Sequence, residues 1–179
     1  RRELLRRLTP DFEVVVPDID EERTDASHPV EHAANLAVRK AQAAAARAGL
    51  APSTAGAGAN PGGPGALLVA ADTVVFIGRE LLEKPADRSQ ARAFLRELSG
   101  RSHTVCTALS VLRWGLAGAD SATDSVPSSA TRPPGVLLRR IDTATLTEVR
   151  FHRLSDSEID WYLSTGEWDG VAGGYRLQE

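Results

Sequence analysis

The run from Ala66 to Ile77 is predominantly apolar with a single charge in it, Asp72. A stretch of that kind, followed by a Gly78-Arg79 turn, reads as a strand buried on both faces. A carboxylate inside such a strand is costly unless something compensates it. Three compensations are open: a metal ion, a cationic partner, or an exit from the sheet at that point. A bond to neighbouring backbone or to an arginine would be the purely structural answer. Thr73 could add a hydroxyl to a polar site, although threonine is also a good strand former.

The flanking pattern is mixed α/β. Leu4, Leu5 and Leu8 have helical spacing, and Thr9-Pro10 ends that helix. Phe12 to Val16 reads as a strand stopped by Pro17. A helix is predicted from Pro29, a favourable first-turn residue, through an alanine-rich segment to Gly49. Asp87, with Gln90 three residues on, caps a helix whose stripe is Ala91, Phe94, Leu95 and Leu98. Ser155 and Glu158 repeat the signal for a last helix carrying Ile159, Tyr162 and Leu163 and closing at Gly166. Residues 103–113 and 136–152 are β-rich and could pair as a long antiparallel hairpin. The stretches 52–65 and 115–135, rich in Pro, Gly, Ser and Ala, read as flexible insertions. At 179 residues, the chain fits a single domain over 1–179.

Composition removes several function classes. A formal net charge of −3 argues against a general nucleic-acid binder. No apolar run approaches the roughly 18 residues of a membrane span. The one cysteine, Cys106, cannot form an intrachain disulfide, so a cytoplasmic setting is the expectation.

Of 21 basic residues only two are lysines, Lys40 and Lys84, and the rest are arginines. Arginine and lysine are not interchangeable at a tight site, so sparing two positions suggests a need for a compact ammonium. Asp18, Asp20 and Glu21 lie between a predicted strand and a helix, where loops carry binding groups. Mg²⁺ needs few protein ligands, and Asp72 with one acid from this loop would suffice. Arg1 and Arg2 precede a helix and form a plausible phosphate clamp. Acids to hold a metal and cations to hold phosphates are what phosphoryl transfer requires.

Two decoys stand nearby. His28-Pro29-Val30-Glu31-His32 matches the inverted zinc-protease pattern, but Pro29 as the first helical residue puts His28 at the cap, and no third ligand is evident. The reading is a helix start with two surface histidines. His103 and Cys106 read as alternating strand residues rather than base and nucleophile. An aspartyl-phosphate phosphatase would carry a second Asp two residues after Asp72, where this chain has Val74.

The motifs, taken in order, resemble the Maf-like nucleoside-triphosphate pyrophosphatases. The matching segments are Arg1-Arg2-Glu3-Leu4-Leu5, Asp18-Ile19-Asp20-Glu21, Leu36-Ala37 with Lys40-Ala41, and Ala71-Asp72-Thr73-Val74-Val75. They continue with Glu83-Lys84-Pro85-Ala86-Asp87, Leu98-Ser99-Gly100-Arg101 with His103, Leu154-Ser155 with Glu158-Ile159, and Ala172-Gly173 with Tyr175 and Gln178. The resemblance implies an α/β fold like that of the inosine triphosphate pyrophosphatases. Its long mixed sheet is flanked by helices in two lobes with a cleft, often in a dimer. It implies hydrolysis of a nucleoside triphosphate to monophosphate and pyrophosphate with a divalent cation, Mg²⁺ or Mn²⁺. Asp72 matches the proton acceptor, and Glu21, Lys40 and Lys84 match the other polar positions, with Asp72 and Glu21 as metal ligands. Arg1, Arg2, Thr73 and Gln178 match substrate-binding positions, and Thr73 resembles the branch acting on dTTP and UTP. A nucleotide-binding regulator of cell division with little turnover is the alternative. On the resemblance, the chain is expected to lack the family's N-terminal strand with its Ser-x-Ser-Pro segment and the family's C-terminal end. Gly170-Val171-Ala172-Gly173 stands where many members carry Asp-Lys-Ala-Gly.

Overall fold

The computed structural model describes residues 2–21, 26–50, 65–116 and 135–176. Its elements are α1 (Arg2–Arg6), α2 (Pro29–Arg47), β1 (Gly65–Ile77), β2 (Glu80–Leu82), α3 (Arg88–Leu98), β3 (Ser102–Leu116), β4 (Gly135–Arg150) and α4 (Asp156–Thr165), followed by a 3-10 turn at Ala172–Gly174. The strands form one sheet in the order β2-β1-β3-β4. All three described pairings are antiparallel, where a mixed sheet was expected.

Register decides which residues face which layer. Even-numbered β1 residues from Ala66 to Phe76 lie opposite even-numbered β3 residues from Trp114 to Thr104. On that face α2 presents Ala33, Ala37, Ala41 and Ala45. Small side chains on successive turns let a helix lie close to a pleated surface. Around them Leu36 and Leu50 are buried, each contributing roughly 2 kcal/mol of hydrophobic stabilisation. The opposite face carries Val75, and there α3 and α4 supply Leu95, Leu98, Ile159 and Leu163, joined by Tyr175 just after the 3-10 turn.

Capping follows the sequence signals closely. Gln90 N donates to Asp87 Oδ1 at 2.8 Å, while the Gln90 side chain accepts from Ala86 N, one residue before the cap. Ser155 and Glu158 close a full capping box, and Gly166 ends α4 at φ +76. The two long β regions do pair as a hairpin, with residues 115, 116 and 135 inside the strands rather than in the insertion. The rest of the predicted insertions, residues 52–64 and 117–134, lies outside the described residues.

Two expectations need correction. Phe12–Val16 is not a strand among the described residues, because no described strand pairs with it and a ladder needs a neighbour. Arginines of α2 hold this region instead: Arg39 donates to Asp20 O at 2.8 Å and Arg47 donates to Val16 O. Nor is β1 buried on both faces along its whole length. Leu67 and Val69 are 68% and 44% exposed, because α3 and α4 cover only the end of that face around Val75.

Candidate functional site

Asp72 lies inside β1, paired opposite Ala108 on β3, so the strand does not leave the sheet there. Of the three compensations for its charge, the cationic partner is the one observed. Lys40, on α2 between Ala37 and Ala41, places Nζ 2.6 Å from Asp72 Oδ1. The same ammonium is 2.7 Å from Glu21 Oε1, and Glu21 Oε2 is 2.9 Å from Lys84 Nζ. The result is an alternating row, Asp72–Lys40–Glu21–Lys84, drawn from a strand, a helix and two connecting segments. Side-chain exposure climbs along it from 9% at Asp72 and 14% at Lys40 to 41% at Glu21 and 58% at Lys84. The row therefore runs from the sheet–helix interface out to solvent.

Electrostatics tighten this arrangement. Hydrogen bonds from Lys40 and then Lys84 hold the Glu21 carboxyl at about 2, well below the usual carboxylate range. Burial works against the Lys40 ammonium, but its bonds to Asp72 and Glu21 outweigh that and raise its pKa. The four charges of the row cancel, and each is paired within it.

A pocket of about 250 Å³ opens beside this row. Asp72 and Thr73 point to opposite faces of the sheet, yet both line it. The reason is an edge: β2 pairs with β1 only over Val75–Ile77. Beyond Leu82 the chain leaves the ladder as Glu83–Lys84, so the pocket sits at the open side of Asp72–Val74 and meets both faces. Thr73 Oγ1 is 3.1 Å from Thr107 Oγ1 on β3, which orients its hydroxyl. Ala172 also lines the pocket.

Lys40, Lys84, Glu21, Asp72 and Thr73 are thus brought together. Arg2 is exposed in α1 and is not among the residues lining this pocket. Arg1 and Gln178 lie outside the described residues. The two histidines expected at the surface are half-buried and have separate tasks. His28 caps α2 by accepting from Val30 N at 3.2 Å and meets Phe76 edge-on, whereas His32 lines the pocket. His32, Leu36 and Lys40 recur every fourth residue on α2, a spacing that could have marked His32 beforehand. Cys106 faces α2 and His103 the opposite layer, so they do not form a base–nucleophile pair. Burial, then the nearby Asp72 charge, pushes the Cys106 thiol up, away from a reactive thiolate.

As metal ligands, the row offers carboxylate oxygen alone. Among the described residues no group of three or more His, Cys, Asp or Glu side chains gathers around one point. Two carboxylates, Asp72 and Glu21, suit a hard cation that takes its remaining ligands from water and phosphate, and not a closed zinc site.

Against known proteins, the sequence profile described as Maf-like protein matches residues 1–179. The chain belongs to the Maf-like family. The Maf-like chain is 37% identical to a dTTP/UTP pyrophosphatase of Cereibacter sphaeroides over 180 residues, covering 99% of this chain and 73% of that protein. It is 35% identical to one from Symbiobacterium thermophilum, covering 99% and 72%. A third, from Novosphingobium aromaticivorans, is 37% identical, covering 99% and 71%. The α/β layering of this Maf-like chain agrees with the fold expected from its motifs, and no described helix is long and apolar enough to cross a membrane.

Proposed function

We propose that this chain hydrolyses nucleoside triphosphates, dTTP and UTP foremost, to the monophosphate and pyrophosphate. The observation that carries the reading is the row Asp72–Lys40–Glu21–Lys84 beside a pocket at a sheet edge. Relatives named dTTP/UTP pyrophosphatase over nearly the whole chain support the substrate class.

The row is charge-neutral, so alone it leaves a triphosphate's several negative charges unbalanced. That deficit favours a divalent cation, Mg²⁺ or Mn²⁺, held by Asp72 and Glu21. When bound, the cation supplies charge neutralisation and polarises the phosphoryl oxygens. Water attacks the α-phosphorus in line while Asp72 takes its proton. The α-phosphorus–oxygen bond breaks, and its electron pair leaves with pyrophosphate. Lys40 holds Asp72 in place as a carboxylate, and Lys84, the most exposed of the four, meets the incoming phosphates first. Preorganised cations of this kind contribute most where charge develops. Thr73 contacts the base or sugar at the pocket wall, with Arg1, Arg2 and Gln178 as the other candidate substrate-binding residues. A homodimer working in the cytoplasm completes the reading, and light scattering would test its first part.

The deciding experiment incubates the protein with dTTP, UTP and the other nucleoside triphosphates in Mg²⁺ or Mn²⁺ and separates the products. Pyrophosphate in equal amount to monophosphate is expected. Orthophosphate with a diphosphate would sink the reading, and tight binding without any product would leave a nucleotide-binding regulator.

A further inference from the structure

His103 and Tyr175 have no part in that chemistry, yet they form a buried polar contact. His103 is 3% exposed and Tyr175 8%. His103 Nε2 and Tyr175 Oη are 2.5 Å apart, and Phe151 packs edge-on against both rings at 5.2 and 4.9 Å. His103 Nδ1 is buried with no hydrogen-bond partner among the described residues. Two apolar side chains would fill this cluster without leaving a nitrogen unsatisfied. What apolar packing would not supply is direction, since a hydrogen bond fixes where along β3 the phenol must sit.

Tyr175 directly follows the 3-10 turn Ala172–Gly174, and the position of that turn bears on the pocket. Ala172 lines the pocket. Gly173 N donates to Glu83 O at 3.1 Å, tying the turn to the residue before Lys84. Gly173 adopts φ +73 and passes so close to β1 that a Cβ there would lie 3.0 Å from Val75 Cγ1. Arg176 N donates to Tyr162 Oη at 3.0 Å, pinning the far end to α4. The strap Ala172–Arg176 is therefore fastened to β3, to α4 and to the Glu83–Lys84 segment, and Lys84 holds Glu21.

We propose that His103 and Tyr175 are a positioning pair: their bond sets the strap, and the strap sets the pocket wall and the Glu83–Lys84 segment that meets the nucleotide. The proposal rests on this pocket being the triphosphate site. The pair touches no reacting atom, so it acts on how well substrate is held rather than on the chemical step.

The test compares Tyr175→Phe, His103→Leu and His103→Gln with wild type, measuring pyrophosphate release, nucleotide affinity by calorimetry and the unfolding midpoint. Tyr175→Phe keeps the ring and removes only the hydroxyl. It is expected to raise KM about tenfold while kcat stays within about twofold, the signature of lost ground-state positioning. His103→Leu should act in the same direction, and His103→Gln, which retains a hydrogen-bonding group, should recover part of the loss. An unchanged KM, or a fall in kcat matching a reduced fraction of folded protein, overturns the proposal. Nucleotide binding by wild type without pyrophosphate release would defeat the hydrolytic reading alone. The affinity comparison then decides, with a Kd unchanged by Tyr175→Phe counting against the pair. Wild type that binds no nucleotide would overturn both.

Discussion

Lys40 Nζ bridges Asp72 Oδ1 at 2.6 Å and Glu21 Oε1 at 2.7 Å, so one ammonium joins a buried strand to a half-exposed segment. Removing it strands the Asp72 charge between two apolar clusters. Lys40→Met is therefore expected to destabilise the fold by about 3 kcal/mol, as breaking one side of a buried pair does. Adding Asp72→Asn to Lys40→Met should restore part of that loss, because the uncompensated charge is then gone. Denaturant midpoints of the two single variants and the double variant check this, and simple additivity would contradict it.

Asp72→Asn alone separates holding the substrate from transforming it. The amide keeps the size of the side chain but takes no proton from water and ligates a cation poorly. Pyrophosphate release is expected to fall about 10³-fold, while dTTP affinity changes less than tenfold. Turnover within tenfold of wild type would move the proton acceptor elsewhere.

Asp72 and the two lysines were legible in the sequence because each broke a strong local rule. One charge stands in an apolar strand, and two lysines stand in an arginine-rich chain. The caps at Asp87 and Ser155 were legible for the opposite reason, because they obey short-range hydrogen-bond rules that need no tertiary partner. What was hidden depends on neighbours. Phe12–Val16 has strand composition, but pairing is a property of two segments. The exposure of Leu67 and Val69 was invisible because an apolar run does not say where a covering helix stops. The direct Lys40–Asp72 bond spans 32 residues of sequence, and the His103–Tyr175 bond spans 72. No periodicity links either pair.

Acid should weaken the fold in two separate windows. Burial holds the His103 pKa below its unfolded value of about 6.5. The unfolded chain therefore binds more protons than the folded one as pH drops through 6.5, so stability is full above that pH and is lost below it. Glu21 is held at about 2 by Lys40 and Lys84, so its contribution is intact above the normal carboxylate range and disappears between about 4.5 and 2. Unfolding free energy measured against pH should show both declines in wild type. His103→Gln should lose the upper one and keep the lower. A wild-type profile flat between pH 7 and 5 would refute the assignment to His103.

Gly173 and Gly166 offer a matched pair for testing whether the strap matters to the pocket. Both adopt left-handed backbone, at φ +73 and +76. A Cβ at Gly166 meets nothing within 4 Å, so Gly166→Ala is expected to cost only the left-handed strain, about 1 kcal/mol. At Gly173 the added Cβ would lie 3.0 Å from Val75 Cγ1 and 3.2 Å from Tyr175 Cε1. Crowding of that kind adds to the strain, for a total of about 2 to 3 kcal/mol. In a chain of this size each kcal/mol lowers the midpoint of thermal unfolding by roughly 2 to 4 °C, so the two variants should be clearly separated by calorimetry. Function should separate them further. Gly173→Ala pushes the strap off β1 and so displaces the Glu83 contact, which should raise KM in the folded protein. Gly166→Ala changes only the end of α4 and should leave KM at the wild-type value. Equal KM values for the two variants, measured well below both unfolding midpoints, would show that the strap is not part of the substrate wall.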